Sequence, residues 1–197
     1  MPMNGLAALV LAGGQARRIG GGDKPLLDLA GQSMLGHILA ALSQETEQIA
    51  ISANGDPARF AAFARPVLGD GAFAGQGPLA GVLAGLDWAA ELGAEVLLTV
   101  PGDTPLIPMG LAGALAPAPA TATSGGRAHH LVALWPVAAR GTLRRMLSEP
   151  GSHGVARFGA TIACRFVDFP LRPWDPFLNV NTAADLAAAR AIMEDGA

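Results

Sequence analysis

Four short apolar runs in the first hundred residues each stop at glycine or a small polar group, and helix-like segments separate them. Leu6–Leu11 reads as a strand and Met34–Leu42 as an amphipathic helix. Ile49–Ile51 reads as a second strand, and Pro57–Ala64 as a short helix with Asp56 as its cap and Pro57 at its first position. Val67–Leu68 is a brief third strand. Pro78–Leu92 is a longer helix closed by Gly93, and Glu95–Val100 is a fourth strand. Strands that alternate with helices pair in parallel, because each crossover returns the chain to the same edge. The fourth run is continuously apolar, which suits a strand covered on both faces.

The second half is less regular. "APAPATATSGG" is a turn-rich connection into a strand near Thr121–Thr123. His130–Trp135 reads as a strand, Val137–Leu147 as a helix, Ile162–Phe169 as an alternating strand and Thr182–Met193 as a closing helix. Cys164, inside that last strand, is expected in the core. No repeat and no dividing linker interrupts the chain. The expected fold is α/β: a three-layer sandwich around a mostly parallel mixed sheet, formed by residues 1–197 as a single domain. A domain of this length hides about 70% of its unfolded surface.

Composition excludes several classes of function. A net charge of -3 argues against a partner held through the phosphates of a duplex. One cysteine leaves no internal disulfide framework and no multi-cysteine zinc site. No run approaches the ~20 apolar residues of a membrane span. "MPMNGLAALVLAGG" has no basic region before its apolar stretch, so it reads as a first strand and not as a signal peptide. A cytoplasmic protein is the expectation.

In an open parallel sheet, ligands bind beyond the carboxyl ends of the strands. Here those ends carry the Gly13–Lys24 loop, Ser52 and Asn54, Gly69 and Asp70, and Gly102 and Asp103. Together they point to one polar site on one edge. The first loop, "LAGGQARRIGGGDK", is not a Walker A sequence, since Asp23 precedes Lys24 and Pro25 follows it. Glycines alone would fit a flexible surface turn. Lys24, however, is the only lysine, against twelve arginines. A chain that otherwise uses arginine for positive charge retains one compact ammonium, which suits a phosphate as partner. Gly13 and Gly14 would let main-chain N–H groups reach the same anion. A chance surviving lysine is the plain alternative.

Arg17 and Arg18 would close over a triphosphate, or else stand solvated. Asp103 would hold a hard divalent cation together with substrate phosphates, or else cap a helix near Pro108. Asp70 is either a site residue or a turn residue. Gly77 and Pro78 open the following helix, where backbone donors face an anion or a base. Leu79, Val82, Leu83 and Leu86 form the core face of that helix. His37 reads as structural.

These residues carry a family resemblance. "LAGGQARRIGGGDK", "GPLAGVLAGL", "PGDTPLIP" and "FLNVNTAADL" resemble, in order and spacing, the motifs of the nucleotidyltransferases that modify molybdopterin, over nearly the whole chain. The resemblance implies a Rossmann-like fold of the glycosyltransferase-A type. It also implies Mg2+ as cofactor, with Mn2+ as its substitute, and transfer of GMP from GTP to the phosphate of Mo-molybdopterin. By the resemblance, Leu11, Ala12, Gly13, Gly14, Lys24, Ser52, Asn54, Asp70, Gly77, Pro78 and Asp103 would bind nucleotide. Lys24, Asp103 and Arg18 would be catalytic, with Asp103 the metal ligand. Asn179, Asn181, His153 and Arg157 would face the acceptor, Arg127 and His129 lying in another stretch that could reach it. The nucleotide-binding half would span about 1–110 and the acceptor-binding half about 111–197. Molybdoenzyme apoproteins or their chaperones would be the protein partners.

Two departures stand out. Ser52 replaces an asparagine frequent in similar proteins, and His153-Gly154 replaces a pair of basic residues. Members using CTP resemble "LAAG" where this chain has "LAGG", which favours GTP. A cytidylyltransferase for the same pterin, a guanylyltransferase for another phosphorylated acceptor and a non-catalytic nucleotide sensor are the alternatives. "NVNT" could equally be an asparagine-rich cap on the last helix.

Overall fold

A computed structural model describes residues 5–13, 23–151, 153–171 and 173–195. Strand β1 (Leu6–Leu11) is followed by a small hairpin, β2 (Asp28–Leu29) and β3 (Gln32–Ser33), and by helix α1 (Met34–Leu42). Next come β4 (Ile49–Ser52), a 3-10 helix (Pro57–Phe63), β5 (Val67–Leu68), α2 (Pro78–Glu91) and β6 (Val96–Pro101). The remainder is α3 (Leu111–Leu115), β7 (Ala120–Ser124), β8 (Arg127–Pro136), α4 (Arg140–Ser148), α5 (Val155–Thr161), β9 (Arg165–Phe169) and α6 (Ala183–Asp195).

One seven-stranded sheet has the order β5-β4-β1-β6-β8-β7-β9. Its β5, β4, β1 and β6 run parallel, β8 is antiparallel to both β6 and β7, and β9 is parallel to β7. Alternate β1 residues serve opposite faces, as the period of a strand requires. Ala8 and Val10 pack with Leu35, Ile38, Leu42 and Leu111 on one side. Ala7 and Leu9 pack with Leu79, Val82, Leu86 and Leu143 on the other. Three layers result, and burying each such leucine is worth about 1.5–3 kcal/mol.

Glycine sets the distance between α2 and the sheet. A Cβ on Gly85 would lie 2.5 Å from Leu9 Cδ2, and one on Gly81 would overlap Ser52 Oγ. Helix α2 therefore rides close over β1 and β4, and its first turn reaches the strand ends. Trp135 is buried in the same layer and donates its indole N–H to Thr99 Oγ1 at 2.8 Å, so the core contains no orphaned donor there.

The expected strand over Ile162–Phe169 is corrected. Strand β9 begins only at Arg165, and α5 precedes it. Val155, Phe158 and Ile162 have helical spacing, and Phe158 is fully buried against Trp135, ring centroids 5.3 Å apart. Ala163 then turns the chain at φ +53°. Cys164 lies in that turn, only partly buried and packed at the margin of the core, and burial pushes its thiol pKa up. Strand β8 is longer than its sequence reads, because Gly125 and Gly126, both at positive φ, close a two-residue hairpin with β7.

Candidate active site

Strands β1 and β6 end side by side, and Gly102 makes their close approach possible. Its N–H donates to Leu11 O at 2.9 Å. A Cβ there would sit 3.0 Å from Pro25 Cγ and 3.2 Å from Leu11 O. Pro25 belongs to the 3-10 turn Lys24–Leu26, so the same contact brings Lys24 to the end of β6. The Lys24 side chain is 10% exposed, and its Nζ donates to Asp103 Oδ2 and to Asn181 Oδ1, each at 2.7 Å. Three distant stretches of sequence thus meet on one ammonium.

Asp103 does not cap the helix beyond it. The N-terminal amides of α3, Leu111 and Ala112, are capped instead by the Glu45 carboxylate at 2.9 and 2.8 Å. The Asp103 carboxylate is left for Lys24, and its carbonyl accepts the Val180 N–H at 2.8 Å. Thr104, fully buried, donates to Asn179 Oδ1 at 2.9 Å.

The "NVNT" turn does cap α6, but not through its asparagines. Asp185 accepts from the N–H groups of Asn181 and Thr182 at 2.9 and 2.8 Å, while Thr182 Oγ1 accepts the Asp185 N–H at 3.2 Å. This reciprocal arrangement is a capping box. The Asn181 N–H, followed by the Thr182 groups, holds the Asp185 carboxyl below the usual carboxylate range. Neither asparagine side chain is spent on the cap: Asn181 Oδ1 accepts from Lys24 and Asn179 Oδ1 from Thr104.

Across the cleft, Asn54 and Asp70 bind each other twice. Asn54 Nδ2 donates to Asp70 Oδ2 at 2.5 Å, and the Asp70 N–H donates to Asn54 Oδ1 at 3.0 Å. Between the two walls lies a cleft of about 540 Å³, lined by Leu11, Gly13, Lys24, Ser52, Asn54, Asp70, Gly77, Pro78, Asp103 and Asn179. That volume suits a ligand of nucleotide size. Ala12 is not part of the lining: it is buried in the core and donates its N–H to Ser52 O at 2.8 Å. Gly14, Arg17 and Arg18 lie outside the described residues.

A second cavity of about 420 Å³ shares Pro101, Leu131 and Asn179 with the first, and adds Arg127, His129 and His130. His129 is buried, and burial is the main cause that lowers its pKa. Arg127 and His130 act in the same direction, while the Asp175 charge opposes them. Ser124 Oγ donates to Asp175 Oδ1 at 2.8 Å and meets His129 Nε2 at 2.7 Å. With the hydroxyl proton given to Asp175, the neutral imidazole carries its proton on Nε2.

His153 and Arg157 reach neither cavity. The His153 ring turns back to Glu149 O at 2.9 Å, and Arg157 on α5 is exposed to solvent and lines neither cavity. The wall there is formed by Gly154, Val155 and Ala156. His37 bonds Leu29 O at 2.7 Å, a structural contact. Sequence reasoning missed Asp23, Arg59, Thr104, Asp175 and Asp185. Only Asp185 had a legible signal, the T-x-x-D spacing from Thr182.

Among the described residues no three His, Cys, Asp or Glu side chains converge on a metal position. A protein-only cage is therefore not formed by them. Asp103, with amide oxygens of the NVN turn nearby, offers a hard, incomplete oxygen set. Mg2+ fits such a set, since it takes one or two carboxylates and completes its shell with phosphates and water.

Comparison with known proteins agrees with this arrangement. The family model of the MobA-like NTP transferase domain matches residues 8–162. A molybdenum cofactor guanylyltransferase from Acidiphilium cryptum is 56% identical over 94% of this chain and 94% of its own length. Another from Rhodopseudomonas palustris is 45% identical over 94% of this chain and 92% of its own. Among solved structures, molybdopterin-guanine dinucleotide biosynthesis protein A from Archaeoglobus fulgidus superposes with a TM-score of 0.71 at 21% identity, covering 96% of this chain and 99% of that one. A nucleotidyl transferase from Methanothermobacter gives a TM-score of 0.74 at 16% identity, over 99% and 100% of the two chains. Fold, motif order and extent of match agree, and the chain belongs to the MobA-like NTP transferase domain family.

Proposed function

We propose that this protein transfers GMP from GTP to the terminal phosphate of Mo-molybdopterin, producing the guanine dinucleotide cofactor and pyrophosphate. The observation that carries the reading is the Lys24–Asp103–Asn181 contact, which sets Lys24 and Asp103 together in the wall of the first cavity. The names of relatives at 56% and 45% identity supply the substrates.

Residues of about 1–110 hold the nucleotide and those of about 111–197 the acceptor, within one domain. Asn54 and Asp70 face the base side. Lys24 and the main-chain amide at Gly13 steady the triphosphate, and by the family resemblance Gly14 and Arg18 would contribute to the same task. An acceptor phosphate oxygen attacks the α-phosphorus in line, the bond to the β-phosphate oxygen breaks, and pyrophosphate leaves. This chemistry asks the protein for positioning and charge neutralisation rather than a covalent nucleophile. Mg2+, or Mn2+ in its place, would be held by Asp103 and would neutralise charge on the phosphoryl oxygens. The acceptor occupies the second cavity, against Asn179, Arg127 and His130.

No helix among the described residues is long and apolar enough to cross a membrane. The cytoplasm, where GTP is abundant, is the proposed compartment, and molybdoenzyme apoproteins or their chaperones receive the product. Incubation with molybdopterin and each labelled nucleotide tests the assignment. GMP incorporation with equimolar pyrophosphate is expected, and preferential use of CTP would overturn it.

A further inference from the structure

Arg59 lies outside every motif and outside the cleft lining, yet its guanidinium touches Asn54 of one cleft wall and Asp23, the chain neighbour of Lys24 in the other. It sits in the 3-10 helix after β4, anchored by the fully buried Phe60, whose ring lies 4.8 Å from the Arg59 Cζ. Nη1 donates to Asp23 Oδ1 at 2.7 Å, and Nη2 donates to Asn54 O at 2.5 Å. Asp23 immediately precedes Lys24. Its side chain makes no capping bond to the 3-10 turn it opens, so the carboxylate is committed to Arg59. Asn54, in turn, holds Asp70 through both ends of its amide. One continuous set of contacts therefore runs from Lys24 through Asp23, Arg59 and Asn54 to Asp70.

We propose that Arg59 is a positioning residue that fixes the base-facing wall of the cleft relative to the phosphate-facing lysine, so that nucleotide choice and turnover both depend on it. The inference rests on the reading that the cleft takes GTP. A planar fork suits the task because it holds two acceptors at a set separation, which the single point charge of lysine does not. Stability alone does not account for the contact. The pair is 30% and 22% exposed, so solvent still screens part of its attraction. Geometry is the stronger explanation, since a displacement of about 1 Å at a reacting group costs up to about a hundredfold in rate.

The test compares Arg59→Gln, Arg59→Lys, Asp23→Ala and the double variant Asp23→Ala/Arg59→Gln, reading kcat/KM and Kd for GTP and CTP. Arg59→Gln should lower kcat/KM for GTP by about 10–100-fold and reduce the GTP/CTP ratio about tenfold, because both walls are released. Arg59→Lys should restore only part of each. Asp23→Ala should lower use of both nucleotides alike with the ratio kept, and the double variant should match Arg59→Gln within about twofold, as expected when the two residues act as one unit. Melting temperature should fall by no more than about 4 °C. An unchanged rate and ratio in Arg59→Gln, full rescue by lysine, or losses that multiply in the double variant would each overturn the proposal. A wild-type protein that binds GTP but transfers no GMP would sink the functional reading instead, and the Kd ratios would still decide the role of Arg59.

Discussion

Lys24 and Asp103 neutralise each other across 2.7 Å, so an incoming triphosphate meets an ion pair rather than a free cation. The carboxylate repels the phosphates unless a divalent cation screens it. Replacing Asp103 with Asn removes that repulsion and leaves an oxygen that can still accept from Lys24. Binding and turnover should then move in opposite directions. Two unit charges about 4 Å apart interact by about 1 kcal/mol in water and about 4 kcal/mol near a protein surface. The Asp103 side chain is 26% exposed, so solvent screening places the effect in the lower half of that range. About 1–2 kcal/mol corresponds to about 5–30-fold tighter binding of GTP in the absence of metal. Transfer, by contrast, should fall by about 10²–10³ or more, since charge neutralisation at the phosphoryl oxygens is lost.

The assay is a pair of GTP titrations of wild type and Asp103→Asn, one with chelator and one with Mg2+, beside a pyrophosphate-release measurement. Wild type should bind more tightly when Mg2+ is added. The variant should lose most of that gain while exceeding wild type in chelator. Equal affinities in chelator together with undiminished Mg2+-dependent release would refute both the repulsion argument and the metal assignment.

Other outcomes follow from the same geometry. Lys24→Ala should reduce transfer by about 10²–10³, whereas Arg190→Ala, on α6 with long, exposed contacts to Asp28 at 3.5 and 3.6 Å, should stay within about twofold of wild type in the same assay. Gly81→Ala should raise KM for GTP more than it lowers kcat, because the new methyl displaces Ser52 at the cleft wall; overpacking of this kind costs about 1–3 kcal/mol, readable by denaturation. His129 gives a pH signature. Its folded pKa lies below the unfolded value of 6.5, so below pH 6.5 the unfolded chain binds the proton first and stability falls with pH until the folded pKa is passed. His129→Gln should flatten that part of the stability profile, and an unaltered profile in thermal melts between pH 7.5 and 5 would refute the assignment.

The strand ends and the principal cleft residues were legible because both depend on local rules. An apolar run that stops at Gly102-Asp103 states where a parallel strand delivers its loop groups, and the solitary Lys24 singled out by its contrast with twelve arginines does line the cleft there. What was not legible depends on contacts distant in sequence. Nothing local to Asp23 or Arg59 says that they meet across 36 positions, or that Glu45 caps α3 from 66 positions away and so frees Asp103. The false strand over Ile162–Cys164 also comes from packing across the fold. The helical spacing of Val155, Phe158 and Ile162 is present in the sequence, but it is the packing of Phe158 on Trp135 that fixes α5 up to Thr161 and delays the strand to Arg165.

The reversal at β8 explains why two cavities share one wall. Beyond the carboxyl end of a parallel strand, the neighbouring strand in a purely parallel sheet would also offer its carboxyl end, and every loop at that edge would follow a strand. Because β8 runs antiparallel to β6, with Thr99 opposite Ala133, its opening residues Arg127–Leu131 lie at the edge where β6 finishes at Pro101. The start of one strand and the finish of the other therefore border a common space, and Asn179, placed by Thr104 and by the capped turn before α6, stands between the two cavities. A reaction that joins two phosphates needs its two substrates to converge on one point from separate pockets. A single antiparallel strand inserted beside a parallel half-sheet places two such pockets side by side at one sheet edge.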